Sequence, residues 1–276
     1  MSNLVKRILF AIFGIPAVLY IISLGGLYLL AFTAVVAVAG MVEFLGLFGW
    51  EKTSFVTLSS SFISLLIIYT GLMHSDFIPV LISEITILSL FVIFIVIQIK
   101  NNAVKEPLLG VNEIFFGFFY VSFLMRYVFI LGGPLNETES LVENRLLMTF
   151  CIVWAGDISA YFTGKYFGKT KILPEVSPKK TIVGSTGQVA GALITALLFA
   201  AFVPSIGFFQ AAAAGLGCGI LGQVGDFWES LLKRYSGKKD SSGLLPGHGG
   251  VLDRFDSMLL CAPYVYIVFA VSEKAL

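Results

Sequence analysis

The sequence predicts an all-α, polytopic integral membrane protein, and three observations carry that prediction. Hydrophobic residues fill 57% of the 276 positions and charged residues only 13%, roughly half the ~25% charged share of a typical water-soluble chain. The apolar residues fall in runs of helix length, broken by short polar stretches rich in glycine and proline. Because one crossing takes about 20 apolar residues, about nine crossings use most of the chain and leave no room for a large domain outside the bilayer.

The runs place spans near residues 8–24, 27–48, 55–73, 77–99, 108–131, 146–164, 184–203, 207–232 and 251–271. Gly25-Gly26 separates the first two, and the stretch from Gly49 to Thr53 the next pair. Further breaks run from His74 to Asp76, from Lys100 to Pro107, through Gly132-Gly133-Pro134, and from Pro204 to Gly207. Lys6 and Arg7 ahead of the first run resemble the start of a signal peptide. No small-residue cleavage site followed by a polar segment appears, so that run is read as a retained span. The eighth run ends in a charged turn expected to project from the bilayer.

Lysines and arginines are retained on the cytoplasmic side of a membrane, and their positions set the orientation. With a cytoplasmic N-terminus, Lys6, Arg7, Lys52, Lys100, Lys105, Lys165, Lys169, Lys171, Lys179, Lys180, Lys233, Arg234, Lys238, Lys239 and Arg254 all fall inside. Only Arg145 and Lys274 fall outside, and Arg126 lies within a span. The loops that carry these residues are therefore expected at the cytoplasmic face; the membrane itself is taken to be a bacterial inner, or plasma, membrane, with the active site on its cytoplasmic side. No internal repeat supports the inverted-repeat architecture of many transporters. Residues 1–276 read as one transmembrane domain, with 1–145 as lipid-facing scaffold and 146–276 carrying the chemistry.

A formal net charge of +1 argues against a nucleic-acid partner. Cys151, Cys218 and Cys261 sit in apolar runs without metal-like spacing and read as small buried hydrophobes.

Ionisable groups inside apolar runs are costly and mark function or buried pairing. In the N-terminal half, Glu43 and Glu113 lie near expected cytoplasmic ends, where snorkelling or capping explains them. Glu84 and Arg126 read as packing or interface residues, and His74 as a loop residue. The C-terminal half differs in kind. Asp157, Tyr161 and Gly164 recur on one helical face, and five lysines follow between Lys165 and Lys180. Those lysines suit phosphate contacts or an anchor to anionic lipid, with Lys179 and Lys180 placed immediately before a span. Asp226, Glu229 or Ser230, and Lys233 occupy successive turns of another face.

Gly243, Gly247, Gly249 and Gly250 then make a loop whose backbone can approach an anion closely, leading into a helix whose N-terminus favours phosphate. Asp253 and Asp256, at i and i+3, share a face one turn into that helix. With Asp226 they give three carboxylates beside Lys233, Arg234, Lys239 and Arg254. Hard oxygen ligands next to phosphate-binding cations suit Mg²⁺. The pattern points to metal-dependent phosphoryl or nucleotidyl transfer. His248, in the glycine-rich turn, is open to phosphate donation, proton transfer or helix capping.

Those residues carry a resemblance. Ser230-x-Leu232-Lys233-Arg234, then Lys239-Asp240, then Pro246-x-His248-Gly249-Gly250-x-x-Asp253-Arg254-x-Asp256 is similar to the signature of the integral membrane phosphatidate cytidylyltransferases, or CDP-diacylglycerol synthases. The upstream Trp154-x-x-Asp157-x-x-Ala160-Tyr161-x-x-Gly164-x-x-Phe167-Gly168 and Ser177-Pro178-Lys179-Lys180-Thr181 resemble two further blocks of that family. The similarity covers residues 154–256; earlier residues match only in hydropathy and length. One position departs, because the family's Glu-Gly pair after the lysine block reads Val183-Gly184 here.

The resemblance implies that the phosphate of phosphatidic acid attacks the α-phosphorus of CTP, giving CDP-diacylglycerol and pyrophosphate. It implies Asp226 and Asp253, with Asp256, as ligands of Mg²⁺, and Asp226, Asp253, Lys233 and His248 as catalytic. Ser177, Lys179, Lys180, Arg234, Lys239 and Arg254 would bind substrate, with Asp157 orienting a lysine or a second metal. A homodimer through the less polar N-terminal helices is expected by analogy with other membrane enzymes. A CDP-alcohol phosphotransferase would need an Asp-Gly…Ala-Arg…Gly…Asp…Asp pattern that the sequence lacks. A cation-coupled transporter would need its carboxylates near the bilayer midplane.

Overall fold

The computed structural model describes residues 3–73, 107–133, 144–245 and 249–275. They form helices α1 (Asn3–Leu24), α2 (Gly26–Leu47), α3 (Phe55–Tyr69), α4 (Pro107–Gly117), α5 (Leu124–Leu131), α6 (Arg145–Phe167), α7 (Ile182–Phe202), α8 (Phe208–Tyr235) and α9 (Leu252–Ala275). A 3-10 turn, Thr70–Met73, extends α3, and a π-helical turn, Phe118–Phe123, joins α4 to α5 as one rod. Extended backbone among the described residues amounts to two isolated bridges, Lys171 with Thr181 and Leu245 with Gly249.

Seven stretches of the described residues are long and apolar enough to cross a bilayer: Gly26–Leu47, Phe55–Leu72, Asn112–Leu131, Arg145–Phe167, Ile182–Phe202, Phe208–Tyr235 and Leu252–Ser272. Each coincides with an expected span. The first expected span is a helix whose apolar stretch, Ile12–Leu24, is shorter. The span expected at 77–99 lies outside the described residues, as do His74, Glu84, Lys100 and Lys105. The protein is a helical integral membrane protein.

The elements begin and end where local chemistry requires. Gly25 and Gly49 adopt φ of 57° and 89°, a left-handed backbone that other residues rarely take, and they close the turns on either side of α2. Ser54 caps α3 by accepting from the Thr57 amide at 3.2 Å. Asn144 caps α6 through the amides of Leu146 and Leu147 while its own amide donates to Gly132 O at 3.1 Å. Thr181 accepts from the Gly184 amide at 3.1 Å and opens α7.

Two packing styles hold the bundle together. The N-terminal helices interlock bulky side chains: Leu29, Met41, Phe44, Ile68, Met125 and Phe129 are fully buried. The seams of α6, α7 and α8 are lined instead by small residues. A Cβ added at Gly191 would collide with Ser159 and the Ala155 carbonyl, and one at Gly215 would meet the Leu193 backbone and Ala196. Helices in lipid gain little from hydrophobic exclusion, so such close backbone approach, with its dispersion contacts, supplies their association. α9 completes the bundle by packing on α8, α5 and α6. Phe202, Phe209 and Phe13 stand outward, 80%, 87% and 70% exposed, as a lipid-facing surface allows.

Polar contacts mark the two ends of the bundle. At one end, Arg126 donates to Thr70 Oγ1 at 2.8 Å and Gln210 to Ser272 Oγ at 2.5 Å. At the other end, the Trp50 indole donates to Glu113 at 2.8 Å and Lys238 Nζ to the Gly46 carbonyl. The loop 168–181 and the glycine-rich loop sit at this second end.

Candidate active site

The loop 168–181 folds back on itself. The Ile172 amide donates to Lys180 O at 3.3 Å, the Ile182 amide to Thr170 O at 3.1 Å, and the Ser177 amide to Leu173 O at 2.9 Å. Gly164 and Gly168 lie so close to Thr181 Oγ1 that a side chain at either would displace it. Arg234 Nε reaches Val176 O at 3.3 Å and fastens this loop to α8. The result carries Lys180 across to α8. Its Nζ lies 2.7 Å from Asp226 Oδ2 and 3.9 Å above the Phe227 ring, so charge attraction and a cation–π contact fix one ammonium. Lys179 is exposed beside it and Ser177 is half-buried.

Asp226 stands among other carboxylates. Its Oδ1 has only a 3.3 Å contact from Ser230 Oγ, and its side chain keeps 38% of its exposure. Asp256 on α9 is close enough for the charges of Asp226 and Asp157 to act on it. Asp157 on α6 feels Asp226, Lys180 and Arg254 in turn, and Gln188 of α7 donates to its Oδ1 at 3.0 Å. Gly225 makes this convergence feasible. A Cβ there would run into the Asp256 carbonyl, so the backbones of α8 and α9 meet at the residue before Asp226. Ser257 Oγ donates to Gly222 O at 3.0 Å and secures the same crossing.

The remaining acidic groups of this end form a second cluster, in which Glu229 Oε1 is buried without a hydrogen-bond partner among the described residues. Lys233 Nζ bridges Glu229 Oε2 and Asp253 Oδ1, all three side chains being buried. Asp253 Oδ2 accepts from the amides of Gly250 at 2.7 Å and Ser241 at 2.9 Å, and lies 2.8 Å from the Ser241 hydroxyl. Glu43, arriving from α2 and 6% exposed, accepts from the amides of Val251 at 2.9 Å and Leu252 at 2.8 Å. The Ser242 hydroxyl donates to its Oε1 at 2.6 Å, and the Ser241 hydroxyl lies 3.0 Å from its Oε2.

The three carboxylates expected from Asp226, Asp253 and Asp256 are therefore differently partnered. Asp226 and Asp256 gather with Asp157, while Asp253 is engaged by Lys233 and the glycine-rich loop. The expectation of phosphate at the start of α9 is also altered, because the first free amides of that helix already face an anion, Glu43. Lys239 and Arg254 are exposed, and Arg234 joins the two loops by also reaching Lys238 O at 3.3 Å. His248, with Pro246 and Gly247, lies outside the described residues.

Glu43, Gln188, Ser241 and Ser242 belong to this end of the molecule, and sequence spacing does not mark them as site residues. For Glu43 a signal existed: a carboxylate in an apolar run demands a partner. Val183, where the resembling family has glutamate, is 38% exposed in the first turn of α7. Glu229 is tied to Lys233, and Glu175 is exposed in the loop 168–181.

A polytopic membrane protein whose cationic loops and aspartates meet at one end of the bundle is built to handle phosphates beside lipid. A model of the Cytidylyltransferase family matches residues 5–272. The chain is 31% identical to a phosphatidate cytidylyltransferase of Bacillus subtilis, over 98% of this chain and 99% of that one. It is 32% identical to those of Synechocystis, over 95% and 94% of the two chains, and of Staphylococcus aureus, over 95% and 97%. The chain belongs to the cytidylyltransferase family and is a nucleotidyltransferase.

Proposed function

We propose that the protein transfers the cytidylyl group of CTP to phosphatidic acid, forming CDP-diacylglycerol and pyrophosphate. An oxygen of the lipid phosphate attacks the α-phosphorus of CTP. A new P–O bond forms as the bond from that phosphorus to the bridging oxygen of the β-phosphate breaks, and pyrophosphate leaves with its electron pair. The curated relatives of matching length bear the name of this activity. The observation that carries the reading is the pairing of Lys180 with Asp226 at 2.7 Å, next to the point where Gly225 of α8 closes on the Asp256 backbone of α9.

The lipid phosphate is already anionic near neutral pH, so alignment and neutralisation of charge matter more than a strong base. Lys180 is assigned to one phosphate, with Lys179, Ser177, Arg234, Lys239 and Arg254 as further candidates for phosphate contact and His248 assigned by its sequence motif alone. Lys233 and Asp253 brace that turn. The donor set fits a divalent cation of the Mg²⁺ type, because Asp226 and Asp256 offer hard oxygens and Asp226 Oδ1 is only weakly engaged. No three acidic, histidine or cysteine side chains among the described residues enclose an ion by themselves. Mg²⁺ is commonly held by one or two carboxylates plus substrate phosphates, and Asp226 and Asp256 are the carboxylates assigned to that role. When bound, such an ion would neutralise the charge that builds on the triphosphate, and Asp157 has the position to orient Lys180 or serve a second ion.

Two acyl chains stay in the bilayer while CTP arrives from water, so the site opens to both. The concentration of Lys and Arg at this end supports a cytoplasmic face. The test is CTP-dependent conversion of phosphatidic acid by the purified protein, with Mg²⁺ and with a chelator. Product that requires both CTP and the divalent ion is expected. Cation flux into liposomes without lipid turnover would instead favour a transporter.

A further inference from the structure

Glu43 lies on α2, far in sequence from every motif of the site, yet its carboxylate is one of the most heavily engaged groups in the molecule. Each oxygen faces two donors: Ser242 Oγ at 2.6 Å and the Val251 amide at 2.9 Å on Oε1, the Leu252 amide at 2.8 Å and Ser241 Oγ at 3.0 Å on Oε2. A carboxylate offers about four lone-pair directions: here three are met by donors of their own, and the fourth faces the Ser241 hydroxyl, whose single proton is shared with Asp253 Oδ2 at 2.8 Å. The donors come from both ends of the glycine-rich loop and from the first residues of α9. A Cβ at Gly250 would strike both Ser241 Oγ and Glu43 Oε2, so the loop is closed against the carboxylate with no spare space. Lys238 Nζ on Gly46 O and the Phe48–Tyr235 ring contact, with centroids 6.2 Å apart, bind the same edge of α2 to the end of α8.

We propose that Glu43 is a positioning residue of the reaction: an internal anion from the N-terminal half that fixes the glycine-rich loop and the start of α9, and thereby the placement of Asp256 and of the loop's substrate contacts. The inference rests on the cytidylyl-transfer reading. Its geometric basis is direct. The N-terminus of a buried helix needs its amides satisfied and favours negative charge. Glu43 supplies both from a separate helix, and Asp253 holds the other side of the same loop through Gly250 and Ser241. Two carboxylates thus grip one loop, one braced by Lys233 and one anchored in α2.

The experiment compares Glu43→Ala and Glu43→Gln with Ser122→Ala in full-length purified protein. Ser122 donates to Ser64 Oγ at 2.7 Å deep among the N-terminal helices and serves as the control for general loosening of that half. Three quantities are read: kcat and KM for CTP-dependent turnover of phosphatidic acid, and amide hydrogen exchange over residues 249–252.

Glu43→Ala is expected to lower kcat by about 10²-fold, the scale of a misplacement of about 1 Å at a reacting centre, with KM for the lipid within about threefold. Glu43→Gln, which keeps the size and one acceptor oxygen, should recover about tenfold of that loss. Exchange at Val251 and Leu252 should quicken at least about tenfold in Glu43→Ala and stay as in wild type in Ser122→Ala. Unchanged exchange and kcat in Glu43→Ala would overturn the proposal, as would an equal loss of kcat in Ser122→Ala. A wild-type protein that makes no CDP-diacylglycerol while its loop still needs Glu43 for protection would defeat the reaction and spare the tether.

Discussion

The two carboxylate groupings at the loop end differ in how fully their oxygens are employed. Glu43 and Asp253 are gripped by amides, hydroxyls and Lys233, while buried Glu229 is held by Lys233 through Oε2 alone, its Oε1 having no partner among the described residues. Asp226, Asp256 and Asp157 lie close enough to repel one another and have fewer donors: Lys180 and Ser230 at Asp226, the Ser257 amide at Asp256, and Gln188 at Asp157. Saturated carboxylates hold a shape, whereas carboxylates with spare lone pairs and mutual repulsion remain available to a cation or a substrate. On the proposed function, the difference divides the end of the bundle into a brace and a working surface.

Substitutions can break or sharpen this division. The largest effect is expected from Asp226→Ala and Asp256→Ala, each lowering CTP-dependent turnover by about 10²-fold or more, if charge neutralisation carries several kcal/mol of the barrier. Because Asp226 is partly exposed, its loss should move the thermal midpoint little. Unimpaired turnover in either variant would end the assignment of the working surface.

Asp253→Ala should show the opposite balance. Removing one partner of a buried ion pair typically costs about 3–5 kcal/mol, and the Lys233 ammonium would be left with Glu229 alone. Thermal denaturation in detergent reads this directly, and equal stability losses in Asp226→Ala and Asp253→Ala would erase the distinction.

Lys180→Met keeps much of the side chain's bulk without its charge. It should reduce kcat/KM for CTP by about tenfold or more, since one charge-assisted contact is worth about 1.5–3 kcal/mol. An unchanged value would remove Lys180 from the substrate's path.

The smallest effect is expected from Val183→Glu. An acidic residue in the first turn of a helix gains about 0.3–1 kcal/mol, so the variant should unfold at a slightly higher temperature, with turnover within about threefold of wild type. A large rise in rate would give that glutamate a direct part in the reaction.

The spans were legible because hydropathy at helix length needs no knowledge of neighbours, and seven expected spans recur among the described residues. Asp157, Asp226 and Lys180 were legible for a related reason: charged groups at membrane ends carry a cost that marks them. Asp253 and Asp256 are harder to separate, since a shared helical face says nothing of which residue folds back. Asp253 lies in the first turn of α9 and caps the loop behind it, while Asp256 lies just beyond that turn. Glu43 was legible as a costly carboxylate but not as a partner of Val251 and Leu252. That contact spans about two hundred positions, and nothing in local spacing encodes it.

The glycine seams between α6, α7 and α8 also limit how the molecule can change. Where Gly191 and Gly215 press against neighbouring backbones, even one added methyl group would push two helices apart and shift the aspartates they carry. Random variation is therefore best tolerated on the outward surface around Phe202 and Phe209, and a search for hardier variants has most freedom there, where a side chain meets only acyl chains.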